Sequence, residues 1–157
     1  MRMLCAGLNT LGVHEAVKKH AEVFRPIFVA PGEPTPLSTD TVEQTFKIGQ
    51  LSEEGSNARV KELQVIGHWR DLLQDIEEEL STLKFEDILV FSTGGDAVPA
   101  IGFVPEPTLA FATDGTRFPR GKTCANVLEL PIVHDTYHKF KEEMEFGILN
   151  STGFGMA

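Results

Sequence analysis

Val65, Ile66, Trp69, Leu72, Leu73, Ile76 and Leu80 recur at three- and four-residue intervals. That period puts them on one face of a helix of about four turns, the longest the chain predicts. An earlier stretch, Val13, Ala16, Val17, His20, Ala21 and Phe24, keeps the same period after Asn9 or Thr10 as cap, and Arg25-Pro26 is expected to close it. Between them, APGEPTP (Ala30 to Pro36) is too rich in proline for a helix and reads as a connector. Ser38 or Thr39 then caps a short helix carrying Val42 and Phe46, with Gly49 as its stop. GQLSEEGSNAR, residues 49–59, is polar and punctuated by glycine, which suits a joint between two parts.

Beyond the long helix, Phe85, Ile88 and Leu89 follow Thr82 as cap at helical spacing. The ILVF run within them fits a buried strand equally well by periodicity. FSTGGDAVPAIGF reads as an irregular turn region. TLAFAT (Thr108 to Thr113) and CANVLEL (Cys124 to Leu130) have strand composition, and in the second Cys124, Asn126, Leu128 and Leu130 would share a face. His134 or Asp135 begins a last helix whose buried stripe is Tyr137, Phe140, Met144 and Ile148. Helices around a few short strands predict an α/β (α+β) fold.

Composition narrows the function classes. At 41% apolar and 24% charged residues the chain is globular, and a net charge of −9 disfavours a nucleic-acid groove, which needs clustered Lys and Arg. No long apolar run and no basic-then-apolar leader suggests membrane insertion or secretion, so an intracellular location, cytoplasmic or nuclear, is expected. Cys5 and Cys124 lack metal-ligand or scaffold spacing and are read as free thiols. The acidic run from Asp71 to Asp87 reads as a solvated helix face. From Gly115 to Leu128, by contrast, Arg117, Arg120 and Lys122 stand without an acid and enclose Cys124.

Three chemistries are worth weighing. His134 and His138 have the i, i+4 spacing of zinc ligands, but Asp135 replaces the glutamate of a metalloprotease motif and no third ligand is evident; capping or surface histidines are the default. The glycines of STGGDAVPAIG fit no phosphate loop. Cys124 is either a small half-buried residue at a strand start or a nucleophile, and Lys122 and Arg120 would favour its thiolate. With no histidine close in sequence, it suits exchange with an activated thioester better than amide hydrolysis, because the leaving thiolate is about as stable as the attacking one. A thiol hydrolase would require His68, His134 or His138 within reach of Cys124 in the fold.

From Gly49 to the last residue, about two thirds of the chain, landmarks occur that together resemble the C-terminal lobe of HECT ubiquitin ligases. VIGHWRDLLQDI is similar to that lobe's first helix, FSTGGDAVPAIGF to its F-x-T-G…P…GF signature, and FPRGKTCANVLELP to its P-x-x-x-T-C-x-N-x-L-x-L-P signature. Phe154 stands fourth from the end, where the family keeps a phenylalanine. EEGSNAR and FRP resemble a vertebrate branch bearing zinc fingers. The resemblance implies a HECT C-lobe-like small sheet packed with helices over residues 60–157, a hinge at 49–59, and a helical end of the larger N-lobe over 1–48.

It further implies ubiquitin transfer: Cys124 accepts ubiquitin from a conjugating enzyme as a thioester and passes it to a substrate lysine, without cofactor or metal. Thr123 matches the threonine beside the nucleophile. Glu129 matches an acidic position that would orient or deprotonate the incoming amine. Phe154 would dock on the partner lobe, position the lysine, or simply anchor the tail in the core. Lys122 stands where many members have histidine, and Ala125 where many have phenylalanine. The family's catalytic unit is more than twice as long as this chain, and the part recruiting the conjugating enzyme would mostly be missing. The alternative is therefore a non-catalytic ubiquitin- or partner-binding module lacking a full N-lobe.

Overall fold

A computed structural model describes residues 9, 12–28, 36–99 and 101–151. These fall into two units, residues 9, 12–28, 99 and 101 in one and residues 36–98 with 102–151 in the other. The first holds two short helices, α1 (Val13–Lys19) and α2 (Ala21–Phe28). The single helix expected there is broken at His20, whose φ of −127° and ψ of 46° leave the helical region, although its N–H still reaches the Ala16 carbonyl. Periodicity counts positions and does not register a break of one residue. Its start is Gly12, in the left-handed region, and the second helix continues past Arg25-Pro26 to Phe28.

The second unit begins with α3 (Thr39–Thr45), where the Ser38 hydroxyl accepts the Thr41 N–H at 3.2 Å as an N-cap. Gly49 does not end this helix. Phe46 already has extended backbone and leads into β1 (Lys47–Ile48), which pairs with the sheet. Val42 and Phe46 are buried in the same core as Trp69, with the Phe46 and Trp69 rings edge-on at 5.9 Å. The segment after Gly49 is bonded to its own unit. Glu62, a buried carboxylate, accepts both the N–H and the hydroxyl of Ser52, and Arg59 donates to the Ser52 carbonyl.

Helix α4 (Asn57–Glu77) is capped by Ser56 and buries Val65, Ile66, Trp69, Leu72, Leu73 and Ile76 as their spacing predicts; Leu80 falls beyond the helix and is exposed. The ILVF run is helical. In α5 (Phe85–Thr93) the residues Phe85, Ile88, Leu89 and Ser92 face inward at i, i+3, i+4 and i+7. The start of this helix is secured not by Thr82 but by Asp87, whose carboxylate accepts the Lys84 N–H at 2.9 Å, and Gly94 ends it at φ 80°. Helix α6 (Tyr137–Ser151) starts later than the His134 or Asp135 expected from sequence, and buries Phe140, Met144 and Ile148 against α4 and α5.

Four strands form one mixed sheet in the order β1-β2-β4-β3, with β2 at Thr108–Ala112, β3 at Arg120–Lys122 and β4 at Val127–Pro131. β1 and β4 both run parallel to β2, and β3 is antiparallel to β4. On β4, Leu128 and Leu130 point into the core while Val127 and Glu129 face outward, the alternation a half-buried strand requires. The architecture is thus α/β, a small sheet packed with helices. The acidic run is largely a solvated face, but Asp87 caps α5, and Asp75 accepts from Tyr137 Oη at 2.5 Å and Lys141 Nζ at 2.6 Å and so joins α4 to α6.

Candidate active site

The segment from Cys124 to Leu130 is not one strand. Thr123–Ala125 forms a single 3-10 turn, Asn126 adopts the left-handed conformation at φ 53° and ψ 47°, and β4 begins only at Val127. Cys124 therefore shares no face with Leu128 and Leu130. It lies exposed on the turn, with Thr123 and Ala125 exposed beside it. The half-buried packing cysteine is overturned by that exposure.

Two residues set the shape of this turn. Asn126 is buried; its side-chain N–H donates to the Pro105 carbonyl at 2.7 Å, and its own carbonyl accepts the Thr108 N–H at 2.9 Å. Asparagine tolerates the left-handed region better than most residues, so it can both reverse the chain and brace it. Gly121, before the turn, packs directly on α5: a Cβ there would lie 1.9 Å from the Phe91 carbonyl oxygen. Gly94, at the end of α5, lies alongside, where a Cβ would make only an ordinary contact with Thr123 Cβ, at 4.0 Å. Phe91 and Gly94 belong to FSTGG, so the fold brings that stretch beneath RGKTCAN, although some thirty residues separate them. Asn126 and Gly121 escaped attention as site residues. Asparagine followed by a new strand was the available signal for the first, and the second had none.

The electrostatics differ from the sequence expectation. Arg120 and Lys122 do not surround the thiol as free cations. Arg120 lies opposite Glu129 in the strand register and Lys122 lies diagonally from it, which brings all three side chains to one face. Lys122 Nζ sits 2.5 Å from Glu129 Oε1, Arg120 Nη1 lies 3.8 Å from Oε2, and Arg120 Nη2 is 2.5 Å from Asp114 Oδ2. The hydrogen bond from Arg120 holds the Asp114 carboxyl below its usual range. Two cations and two carboxylates thus offset one another, and Glu129 is held between two positive groups instead of standing free.

Of the three candidate histidines, His138 is exposed on α6 and the other two are engaged elsewhere. The His134 Nε2 edge pairs with the Arg117 carbonyl at 2.8 Å, and His68 packs on Tyr137 and Phe140, its imidazole pushed below the ordinary value chiefly by burial. No histidine hydrogen-bonds Cys124 among the described residues. Phe154 and Cys5 lie outside the described residues.

An exposed thiol on a short turn, braced by a mixed sheet and the end of a helix, marks a thiol-bearing lobe. Residues 36–157 match the HECT-domain (ubiquitin-transferase) family, and the chain belongs to that family. The match begins where the second unit begins. Among its relatives is the G2/M phase-specific E3 ubiquitin-protein ligase of Gallus gallus, 37% identical over 142 residues that cover 90% of this chain and 18% of the relative. The protein of the same description from Homo sapiens is 34% identical over 145 residues, 92% of this chain and 19% of the relative. The chain thus spans about a fifth of the length of the curated relatives it matches.

Proposed function

We propose that this chain carries the transfer cysteine of a HECT-type ubiquitin ligase, accepting ubiquitin from a conjugating enzyme on Cys124 and passing it to a lysine of a protein substrate. The exposure of Cys124 on the Thr123–Ala125 turn carries the reading. In the first step the Cys124 thiolate attacks the thioester carbonyl of charged ubiquitin. A new C–S bond forms and the conjugating enzyme leaves as thiolate, an exchange between leaving groups of similar stability that needs no dedicated base. In the second, a lysine amine attacks the Cys124 thioester, the amide C–N bond forms and the thiolate returns. The amine must lose a proton to attack, and Glu129, at the position where the family keeps an acid, would take it.

Thr123, beside the nucleophile, would hold the turn against the end of α5, and Phe154 would act from the tail on the acceptor or the partner lobe. A reducing compartment, cytoplasmic or nuclear, suits a thiol that must stay free.

The test uses two ubiquitin donors, a charged conjugating enzyme and the thioester of ubiquitin with mercaptoethanesulfonate, the second needing no recruitment surface. Wild type is expected to form an adduct cleaved by reductant, and Cys124→Ser an adduct that resists reductant but yields to mild base. A wild-type chain that binds ubiquitin yet forms no adduct with either donor would favour the non-catalytic binding module.

A further inference from the structure

The contacts of Glu129 raise a question that the two-step scheme leaves open. Its carboxylate is needed by an incoming ammonium, yet both oxygens already face cations, and its side chain is only 16% exposed. The two cations are not held alike. Arg120 is shared with Asp114 at 2.5 Å and lies 3.8 Å from Glu129, so it is anchored from outside the pair. For Lys122, Glu129 is the ion-pair partner at 2.5 Å, while the rest of the side chain is 56% exposed. Lys122 is therefore the cation that can leave. It is also a primary ammonium on a four-carbon stem, the same chemical group as the acceptor, and stands two residues before the thiol.

We propose that Lys122 is a positioning residue that occupies the acceptor-ammonium place at Glu129, so that a substrate lysine must displace it before transfer from Cys124. The inference rests on Cys124 as nucleophile and Glu129 as the acceptor's carboxylate. Its chemistry balances within the chain and the acceptor. The substrate ammonium exchanges with Lys122 at Glu129 Oε1, gives its proton to the carboxylate and then to water, and its nitrogen attacks the thioester carbonyl. The C–N bond forms, the C–S bond breaks, and Lys122 returns to the carboxylate.

Because the Lys122 partner is more than half exposed, the competition is mild: a pair with so solvated a cation corresponds to roughly a two- to five-fold effect on an equilibrium. Lys122→Met keeps most of the stem's length and packing while removing the charge. The full chain, loaded from the ubiquitin mercaptoethanesulfonate thioester and freed of excess donor, is discharged to free lysine over a range of concentrations. Lys122→Met is expected to lower the half-saturating lysine concentration about two- to five-fold with the maximal rate within about twofold, and Lys122→Arg to restore the wild-type dependence. A competitor for the carboxylate moves the half-saturating concentration, whereas a merely structural residue moves the maximal rate.

An unchanged or raised half-saturating concentration in Lys122→Met, with normal loading, overturns the proposal and leaves the cysteine reading intact. Failure of wild type to load overturns both.

Discussion

The Cys124 turn and the α4–α6 seam are built from opposite materials. The seam is apolar and deep, with Trp69, Leu72, Phe140, Met144 and Ile148 fully enclosed, and its one polar tie is Asp75 with Tyr137 and Lys141. The turn has an exposed thiol between exposed neighbours, shaped by one asparagine and one closely packed glycine, with a set of ion pairs on the strands that flank it. Burial stabilises the first in proportion to area removed from water. The second keeps its geometry through close backbone approach, which contributes little area but leaves few alternatives. A nucleophile has to meet a partner protein, so it cannot be held by being buried.

The contrast breaks most visibly with Phe140→Ala, which removes a fully buried ring of α6 packed on His68 of α4. Chemical denaturation should show a loss of about 3–5 kcal/mol, whereas Cys124→Ser, on the exposed turn, should stay within about 0.5 kcal/mol. If the two variants unfold alike, the division between seam and turn is wrong.

Gly121→Ala probes the boundary between them. Its methyl group cannot coexist with the Phe91 carbonyl at 1.9 Å, so β3 or α5 must shift. A cost of about 1–3 kcal/mol is expected, together with a fall in ubiquitin loading greater than in a core variant of matched stability. Equal loading at matched stability would mean that the turn does not depend on this approach.

The smallest effect concerns pH and the seam's polar tie. Hydrogen bonds from Lys141 and then Tyr137 depress the Asp75 carboxyl, while burial foremost raises the Tyr137 phenol, which stays protonated as the donor. A depressed carboxyl contributes stability above its unfolded value, and the contribution is lost as pH falls through the folded one. Asp75→Asn should therefore cost about 0.5–1 kcal/mol near neutrality. The gap from wild type should close in the acid range, below the ordinary carboxylate value; denaturation midpoints measured from pH 7 down to pH 3 would expose a gap that stayed constant.

Helical periods were legible where a buried face ran unbroken, as from Val65 to Ile76, because a helix repeats its environment every few residues. Caps were legible where the side chain acts on its own turn, as at Ser38. At His20 the period survived a real break. The order of Thr-Cys-x-Asn revealed the family and singled out Cys124, but it misled about the local structure, since Cys124 to Leu130 alternates like a strand. What ends the strand short is the left-handed Asn126 and its bond to Pro105, twenty-one residues away in the chain.

The amino-acid order by itself determined the helices, the strand-forming segments, the presence of one thiol among basic residues and the family to which these motifs belong. All of these depend on neighbours in sequence or on residue identity. Only the tertiary structure decided that Cys124 is exposed on a 3-10 turn, that Arg120 and Lys122 hold Glu129 instead of enclosing the thiol, and that Gly121 lies against Phe91. Those relations follow from the antiparallel register of β3 with β4 and the docking of α5 on β3, and a register is set by contacts between distant segments that no local pattern encodes.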